Sequence, residues 1–222
     1  MVRKELLFIK NNEIELESEY FGSKSMSSDV GDKRTTAAGP VVLIAHPHPQ
    51  YGGNMYNNVV SSVFNKIINN DFSCLRFNFR GVGKSTGKHS GGPGELSDVK
   101  SCIDYLINKK NHERIIICGY SYGAAIGCSA INYSEKIIGY ISISFPWDFM
   151  GAKYRELSQS NKPKLFIQGN QDTVAVYERF EENFNFYLDP KISKIIEGAD
   201  HFYMGYELQV ADEVLKFYNS II

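Results

Sequence analysis

Apolar residues fall into two kinds of run along this chain. Short runs without polar interruption, such as Val41–Ala45 and residues 115–118, are typical of strands buried on both faces of a parallel sheet. Between them, longer stretches place apolar residues three or four positions apart, as one face of a helix requires. This alternation predicts an α/β fold with a mostly parallel, twisted sheet and helices on both of its faces. The predicted strands cover residues 41–45, 73–79, 115–118, 137–144, 163–168 and 193–197, and the predicted helices cover residues 57–69, 95–109, 148–159 and 207–218.

The first part of the chain has a different pattern. Residues 5–9 and 13–20 alternate apolar and polar positions on either side of residues 10–12, which predicts an antiparallel hairpin leading into the sheet. Residues 22–39 are rich in Ser, Lys, Asp and Thr without periodicity, so we expect a mobile surface loop there. With no internal repeat and no linker visible, residues 1–222 are expected to form one domain.

Composition mainly excludes classes of protein. The 222 residues are 43% hydrophobic and carry a net charge of −1, which argues against disorder and against nucleic acid as a partner. Apolar runs stop at about eight residues, short of the ~20 that a membrane helix needs, so stable membrane insertion is not expected. The start of the chain lacks the apolar stretch of a secretory signal. The cysteines lack paired spacing and lie in predicted strands or helices, so reduced thiols and a cytoplasmic location are expected. They are Cys74, Cys102, Cys118 and Cys128.

The pentapeptide at residues 119–123, here called the serine turn, has the pattern Gly-x-Ser-x-Gly and directly follows the apolar run at residues 115–118. A strand that enters such a turn and continues into a helix exposes the central serine as a nucleophile. The turn is sharp, so its flanking positions must be small, and glycines occupy both of them. Ser121 is therefore the candidate nucleophile, and cysteine-based chemistry is excluded at this position.

Two later loops supply the partners that a serine nucleophile needs. Asp172 follows the predicted strand at residues 163–168, and His201 follows the predicted strand at residues 193–197. In an open α/β sheet the chemistry gathers at the carboxyl ends of the strands, where all three groups fall. His201 would accept the proton of Ser121, and an acid would fix the tautomer of the histidine.

Two upstream motifs complete a family pattern. Residues 46–49 read His-Pro-His-Pro, and residues 77–85 read Phe-Asn-Phe-Arg-Gly-Val-Gly-Lys-Ser. Together with the serine turn and the segments around Asp172 and His201, they resemble the α/β-hydrolase superfamily. Within it they resemble the small, lidless branch of serine hydrolases that is similar to dienelactone hydrolase. The resemblance runs from Pro40 to the C-terminus and implies an α/β-hydrolase fold, but it says little about the substrate.

Three carboxylates compete for the place beside the histidine. The resemblance puts the acid at Asp172. Asp200 is expected to point away from the ring of its neighbour. Asp148 follows the preceding strand, from which some enzymes of this fold supply the acid.

The resemblance also implies an oxyanion hole, which binds the developing negative charge through two backbone N–H groups. Tyr122 would supply one donor at the start of its helix. The second lies in the loop after Val41–Ala45, where the prolines cannot donate. The resembling enzymes place that donor at His48, and Gln50 is the alternative.

The remaining histidines are not needed for this chemistry. His46 is expected to hold the loops beneath the site by hydrogen bonds, and His89 and His112 are expected to be solvated. Residues 80–85 are not a phosphate-binding loop, because Asn78 stands where that motif requires its first glycine. We expect neither a metal nor another cofactor, since the His-x-His pair of residues 46–49 has no further ligands nearby.

These features predict a serine hydrolase that cleaves carboxylic esters through an acyl-enzyme. Only a short segment separates the predicted strands at residues 137–144 and 163–168, so no large cap fits there. A shallow, open site suits small or flexible acyl substrates. The alternatives are a thioesterase that acts on acylated proteins or small thioesters and, in another class, a non-catalytic binding protein of the same fold. The side chains expected to line the substrate site are Tyr51, Tyr122, Phe145, Trp147, Phe202 and Met204.

Overall fold

A mixed sheet of eight strands runs through the structure, a computed structural model that describes residues 4–23 and 39–222. The strands are β1 (Lys4–Asn11), β2 (Ile14–Phe21), β3 (Val41–Ala45), β4 (Cys74–Phe77), β5 (Ile115–Tyr120), β6 (Ile137–Ile143), β7 (Lys164–Gly169) and β8 (Lys191–Ile196). Their order across the sheet is β1-β2-β4-β3-β5-β6-β7-β8. The pairings of β1 with β2 and of β2 with β4 are antiparallel, and the others are parallel. The predicted mostly parallel sheet with an antiparallel N-terminal hairpin is confirmed.

Helices cover both faces of this sheet. They are α1 (Asn58–Asn69), α2 (Pro93–Asn108), α3 (Tyr122–Cys128), α4 (Trp147–Met150), α5 (Ala152–Leu157), α6 (Phe180–Phe186) and α7 (Glu207–Ser220). Helices α1 and α7 pack on one face, and the other helices pack on the opposite face. Within the described residues, no helix is both long and apolar enough to cross a bilayer.

The inner parallel strands β3 and β5 are buried on both sides, which explains their uninterrupted apolar runs. In β5, Ile115 and Ile117 join the apolar cluster beneath α2 and α3, while Ile116 and Cys118 join the cluster beneath α1 and α7. Burying one such aliphatic side chain contributes about 1.5–3 kcal/mol. A polar residue at any of these positions would therefore be costly, and none occurs.

Helix α1 begins and ends where its sequence pattern predicts. The side chain of Asn57 accepts a hydrogen bond from the backbone N–H of Val59 at 3.1 Å and so caps the first turn. The apolar positions of the predicted stripe all lie against the sheet. They are Val59, Val60, Val63, Phe64, Ile67 and Ile68.

Two parts of the fold differ from the sequence prediction. The single helix predicted over residues 148–159 is two short helices, because Gly151 between them has a φ of 78° that an α-helix does not contain. A 3-10 turn at Tyr177–Arg179 and helix α6 were not predicted. Three aromatic residues of these elements pack in or against the core: Tyr177, Phe180 and Phe184. The rings of the last two stack 5.7 Å apart. Because only the two short helices join β6 to β7, the predicted absence of a large cap is confirmed.

The prediction that His112 is solvated was wrong. His112 is 3% exposed, and its Nε2 lies 2.9 Å from the hydroxyl oxygen of Tyr20, because the end of α2 packs against the N-terminal hairpin. Burial lowers the pKa of His112 to about 4.

The mobile loop predicted at residues 22–39 falls largely on residues 24–38, which lie outside the described residues.

A buried ion pair joins the hairpin to the parallel strands. Glu19 of β2 stands directly opposite Arg76 of β4, and their side chains are 9% and 6% exposed. The Nε of Arg76 donates to Oε2 of Glu19 at 2.7 Å, and its Nη1 donates to the carbonyl of Met55 at 3.0 Å. The guanidinium also lies 4.3 Å from the centre of the Phe64 ring.

We expect Glu19→Ala to lower the free energy of unfolding by about 3–5 kcal/mol, because it leaves the Arg76 guanidinium buried without its counter-charge. Urea unfolding followed by circular dichroism measures the loss. The control is Glu113→Ala, which removes a surface ion pair with Lys136 and should cost at most about 1 kcal/mol. Similar losses in the two variants would show that the buried pair has no special role.

Candidate active site

The turn after β5 presents Ser121 at the carboxyl edge of the sheet. Ser121 has φ 56° and ψ −120°, a conformation that residues other than glycine rarely adopt. Its backbone N–H donates to the carbonyl of Ile143 in β6 at 2.8 Å, which fixes the turn to the neighbouring strand. Helix α3 then begins at Tyr122, so the strand, turn and helix that the motif predicts are all present.

Close backbone contacts require the two glycines of the serine turn. A Cβ atom on Gly119 would lie 2.2 Å from the carbonyl oxygen of Gly123, and one on Gly123 would lie 2.3 Å from that of Ala45. The absence of a Cβ atom on Gly123 lets the serine turn pack directly against the end of β3. This packing brings the serine turn next to the loop that follows β3.

Three side chains from three different loops meet at this edge. His201 Nε2 lies 2.9 Å from Ser121 Oγ, and His201 Nδ1 lies 2.8 Å from Oδ2 and 3.0 Å from Oδ1 of Asp172. The hydroxyl, imidazole and carboxylate thus form one continuous hydrogen-bonded chain. In this arrangement Nδ1–H donates to the carboxylate and Nε2 is left to accept the serine proton.

Asp172 is held in its ionised form. Its side chain is fully buried, and its Oδ1 accepts backbone hydrogen bonds from Val174 at 2.9 Å and Ala175 at 2.8 Å. Burial alone raises the pKa of this carboxyl group, but the hydrogen bond and charge interaction with His201, supported by the other donors, lower it further than burial raises it. The net pKa lies below its ordinary value, so the group is a carboxylate at neutral pH.

The competing acids have other partners. Asp148 Oδ1 lies 3.0 Å from Nη1 of Arg179. Asp200 accepts hydrogen bonds from the backbone N–H groups of the two residues after His201, at 2.9 and 3.2 Å. Of the three candidates, the structure brings Asp172 to the ring of His201.

Three buried polar residues that the sequence analysis did not single out support this region. The hydroxyl of Tyr120 donates to the carbonyl of His201 at 2.5 Å. The hydroxyls of Ser144 and Tyr203 lie 2.7 Å apart. Tyr120 occupies a variable position of the serine turn, and the other two follow β6 and precede α7 without any motif, so the sequence carried no signal for them.

Hydrogen bonds made by the buried ring of His46 hold the loop after β3 in place. This residue is fully buried, its Nδ1 donates to the carbonyl of Pro47 at 2.6 Å, and its Nε2 accepts the backbone N–H of Phe79 at 3.0 Å. Burial lowers its pKa to about 4, so the ring is neutral. These bonds match the structural role expected for His46. Within the described residues, no three His, Cys, Asp or Glu side chains are grouped closely enough to hold a metal ion.

His48 stands next to the start of α3. Its Nδ1 accepts the backbone N–H of Gln50 at 3.2 Å, so that amide already has a partner. The centre of the His48 ring lies 4.6 Å from that of Tyr122. Among the described residues, the backbone N–H groups of His48 and Tyr122 have no acceptor. The structure therefore brings together the two residues expected to form the oxyanion hole, with both amides available.

The side chains expected to line the substrate site fall into two groups. Tyr51, Phe202 and Met204 are exposed, at 79%, 60% and 70%. Tyr122, Phe145 and Trp147 are buried, and the last two stack on each other with ring centres 5.2 Å apart. Contact of Phe145 and Trp147 with substrate stays a prediction.

His89 also differs from its expected solvated state. Its side chain is only 17% exposed, and Nδ1 lies 3.0 Å from Oε1 of the buried Glu95. The ring packs against His48 and Tyr122. This contact was invisible in the sequence, where His89 stands among glycines, serines and lysines.

Comparison with known proteins agrees with this geometry. The model of a family described as an alpha/beta hydrolase domain matches residues 38–211. The chain belongs to this family. An uncharacterized protein of Rickettsia prowazekii is 34% identical over 178 residues, which cover 77% of this chain and 75% of that protein.

Two solved structures show how far the fold of this α/β hydrolase is shared. An alpha-beta serine hydrolase homologue from Coxiella burnetii is 28% identical, covers 97% of both chains and has a TM-score of 0.81. A serine hydrolase without a lid from Xanthomonas campestris is 21% identical, covers 98% of this chain and 94% of its own, and has a TM-score of 0.79. The resemblance to the α/β-hydrolase superfamily inferred from the sequence motifs is thereby confirmed.

We expect Asp172→Asn to lower kcat/KM by up to about 10⁴-fold, because asparagine favours the wrong tautomer of His201. The initial rate of hydrolysis of a chromogenic ester measures the effect, with a thermal melt to confirm folding. Asp148→Asn and Asp200→Asn are matched controls that should retain most activity. If one of them is the crippling substitution, Asp172 is not the acid.

Proposed function

We propose that this α/β hydrolase is a serine hydrolase that cleaves carboxylic esters of small or flexible acyl groups through an acyl-enzyme. The observation that carries the proposal is the continuous hydrogen-bonded chain from Ser121 Oγ through His201 to Asp172. A non-catalytic binding protein would have no reason to keep this chain, the strained serine backbone and two available amides together.

In the proposed reaction, Ser121 Oγ attacks the carbonyl carbon of the ester while His201 Nε2 takes the hydroxyl proton. The tetrahedral intermediate collapses, the bond to the leaving alcohol breaks, and His201 returns the proton to that alcohol. Water then attacks the acyl-enzyme with His201 again as the base, which releases the acid and restores the serine. Asp172 stabilises the imidazolium in both steps.

The backbone N–H groups of His48 and Tyr122 are proposed to bind the oxyanion. Both belong to rigid segments, one at the start of a helix and one between two prolines. Helix N-termini favour anions, so the start of α3 suits the developing charge. One such donor is worth about 10²–10³-fold in kcat.

The surroundings of the site support a small or flexible apolar substrate group. In the part of the chain that the structure describes, no large cap covers the serine, and the exposed Tyr51, Phe202 and Met204 offer apolar surface near the loops that carry the site. The same groups would hydrolyse a thioester, which makes a thioesterase the second candidate. The four cysteines are free and buried, which supports the expected cytoplasmic location.

A fluorophosphonate probe should label Ser121 covalently, because the neighbouring imidazole activates that hydroxyl. Ser121→Ala should abolish both labelling and ester hydrolysis without changing the melting temperature by more than a few degrees. Ser220→Ala, at the exposed end of α7, is the matched control and should behave as the wild type does. Labelling or hydrolysis that persists in Ser121→Ala would refute the assignment.

Matched oxygen esters and thioesters of increasing acyl length belong in the same assay. The proposal expects oxygen esters with short or flexible acyl groups to give the highest kcat/KM. A consistent preference for the thioester of each pair would make thioester hydrolysis the function.

A further inference from the structure

Three aromatic rings from three separate segments meet beside the proposed oxyanion hole. His48 comes from the loop after β3, His89 from the segment before α2, and Tyr122 from the start of α3. The ring centres of His48 and Tyr122 lie 4.6 Å apart, and those of His48 and His89 lie 5.1 Å apart. The centres of His89 and Tyr122 lie 5.7 Å apart. All three distances fall where aromatic rings attract one another, so His89 contacts both residues whose amides are the proposed donors.

A buried carboxylate fixes His89 from the other side. Glu95, in the first turn of α2, has a fully buried side chain, and its Oε1 lies 3.0 Å from His89 Nδ1. The same carboxylate accepts the backbone N–H and the hydroxyl of Ser90 at 2.8 Å each, and the N–H of Gly92 at 2.7 Å. Glu95 is therefore a rigid carboxylate in close polar contact with the imidazole of His89, a contact that lacks hydrogen-bond geometry.

The charge state of Glu95 supports this role. Burial raises its pKa, but the hydrogen bonds from Ser90 and Gly92 lower it further than burial raises it, and the net pKa lies below the ordinary value. The group packed against the His89 ring is therefore a fixed negative charge.

We propose that His89, held by Glu95, is a positioning residue that keeps the amides of His48 and Tyr122 in the geometry that binds the oxyanion. The inference rests on the proposed function, because it takes these amides as the oxyanion donors. His89 itself takes no part in proton transfer. It acts by filling the space between the loop after β3 and the start of α3.

Loss of this support has a distinct kinetic signature. An oxyanion hole stabilises the transition state more than the bound substrate, because its donors must lie about 2.7–3.1 Å from an oxygen that becomes charged only during the reaction. Loosening the donors therefore lowers kcat and leaves KM nearly unchanged. A general loss of packing would instead lower the melting temperature without this selective effect.

The experiment measures kcat, KM and the inhibition constant of an alkyl trifluoromethyl ketone, which forms a hemiketal oxyanion on the serine. In His89→Ala we expect kcat to fall about tenfold or more, inhibition to weaken by a similar factor, and KM to stay within about twofold. Glu95→Gln should shift the same quantities in the same direction. The double variant should lose less than the product of the two single losses, since both act through one contact.

The matched control is His112→Asn, which removes another buried histidine that bonds to Tyr20 in the hairpin. It should lower the melting temperature while leaving kcat and inhibition unchanged below the melt. If His89→Ala does not fold, Glu95→Gln decides the question with the same readouts.

Unchanged kcat and inhibition in folded His89→Ala would overturn the inference, as would an equal kinetic loss in His112→Asn. A wild-type protein without Ser121-dependent hydrolysis would overturn the proposed function itself. An active wild type that is indifferent to His89 would remove only the positioning role and leave that function standing.

Discussion

The backbone conformation of Ser121 is the constraint on which the rest of the site depends. A positive φ at a serine costs about 1–3 kcal/mol, and the surrounding structure must offset it. The hydrogen bond from Ser121 N–H to Ile143 and the close approach of Gly123 to Ala45 hold the turn in place. Both contacts depend on β5 lying between β3 and β6 in the sheet. The strand order and the position of the Ser121 hydroxyl are therefore parts of one arrangement.

The topology explains why distant segments meet at this point. After β3 the chain adds β4 on one side of it, and after β5 it adds β6, β7 and β8 on the other side. The strand order therefore reverses between β3 and β5, and their carboxyl ends flank the crevice where such sheets bind ligands. The serine turn follows β5, and the loop with His48 follows β3. The loops after β7 and β8 bring Asp172 and His201 to the same edge.

Much of the fold could be predicted because its signals are local. Buried parallel strands must be apolar on both faces, and α1 must be apolar on one, so a short window of sequence identifies each. The break at Gly151 was not predicted, because a single glycine within a helical pattern is often tolerated. In the structure the positive φ of Gly151 divides the predicted helix in two.

The candidate site was predictable only where a motif or a strand end marked it. Asp172 and His201 each follow a recognisable strand, and the structure brings them to Ser121. The burial of His89 and His112 depends on contacts between segments far apart in sequence. His112, for example, contacts Tyr20, which lies 92 positions earlier in the chain. No local pattern records such contacts. Both histidines stand in polar sequence and were therefore expected to be solvated.

The central claim is that hydrolysis passes through an acyl group on Ser121. Its most direct test is an assay in water that contains methanol, with esters that share one acyl group but differ in the leaving alcohol. The ratio of methyl ester to free acid among the products is measured. A common acyl-enzyme gives the same ratio of methyl ester to free acid for every leaving group, because the alcohol departs before partitioning. Ratios that change with the leaving group would show that water attacks the substrate directly and would contradict the account.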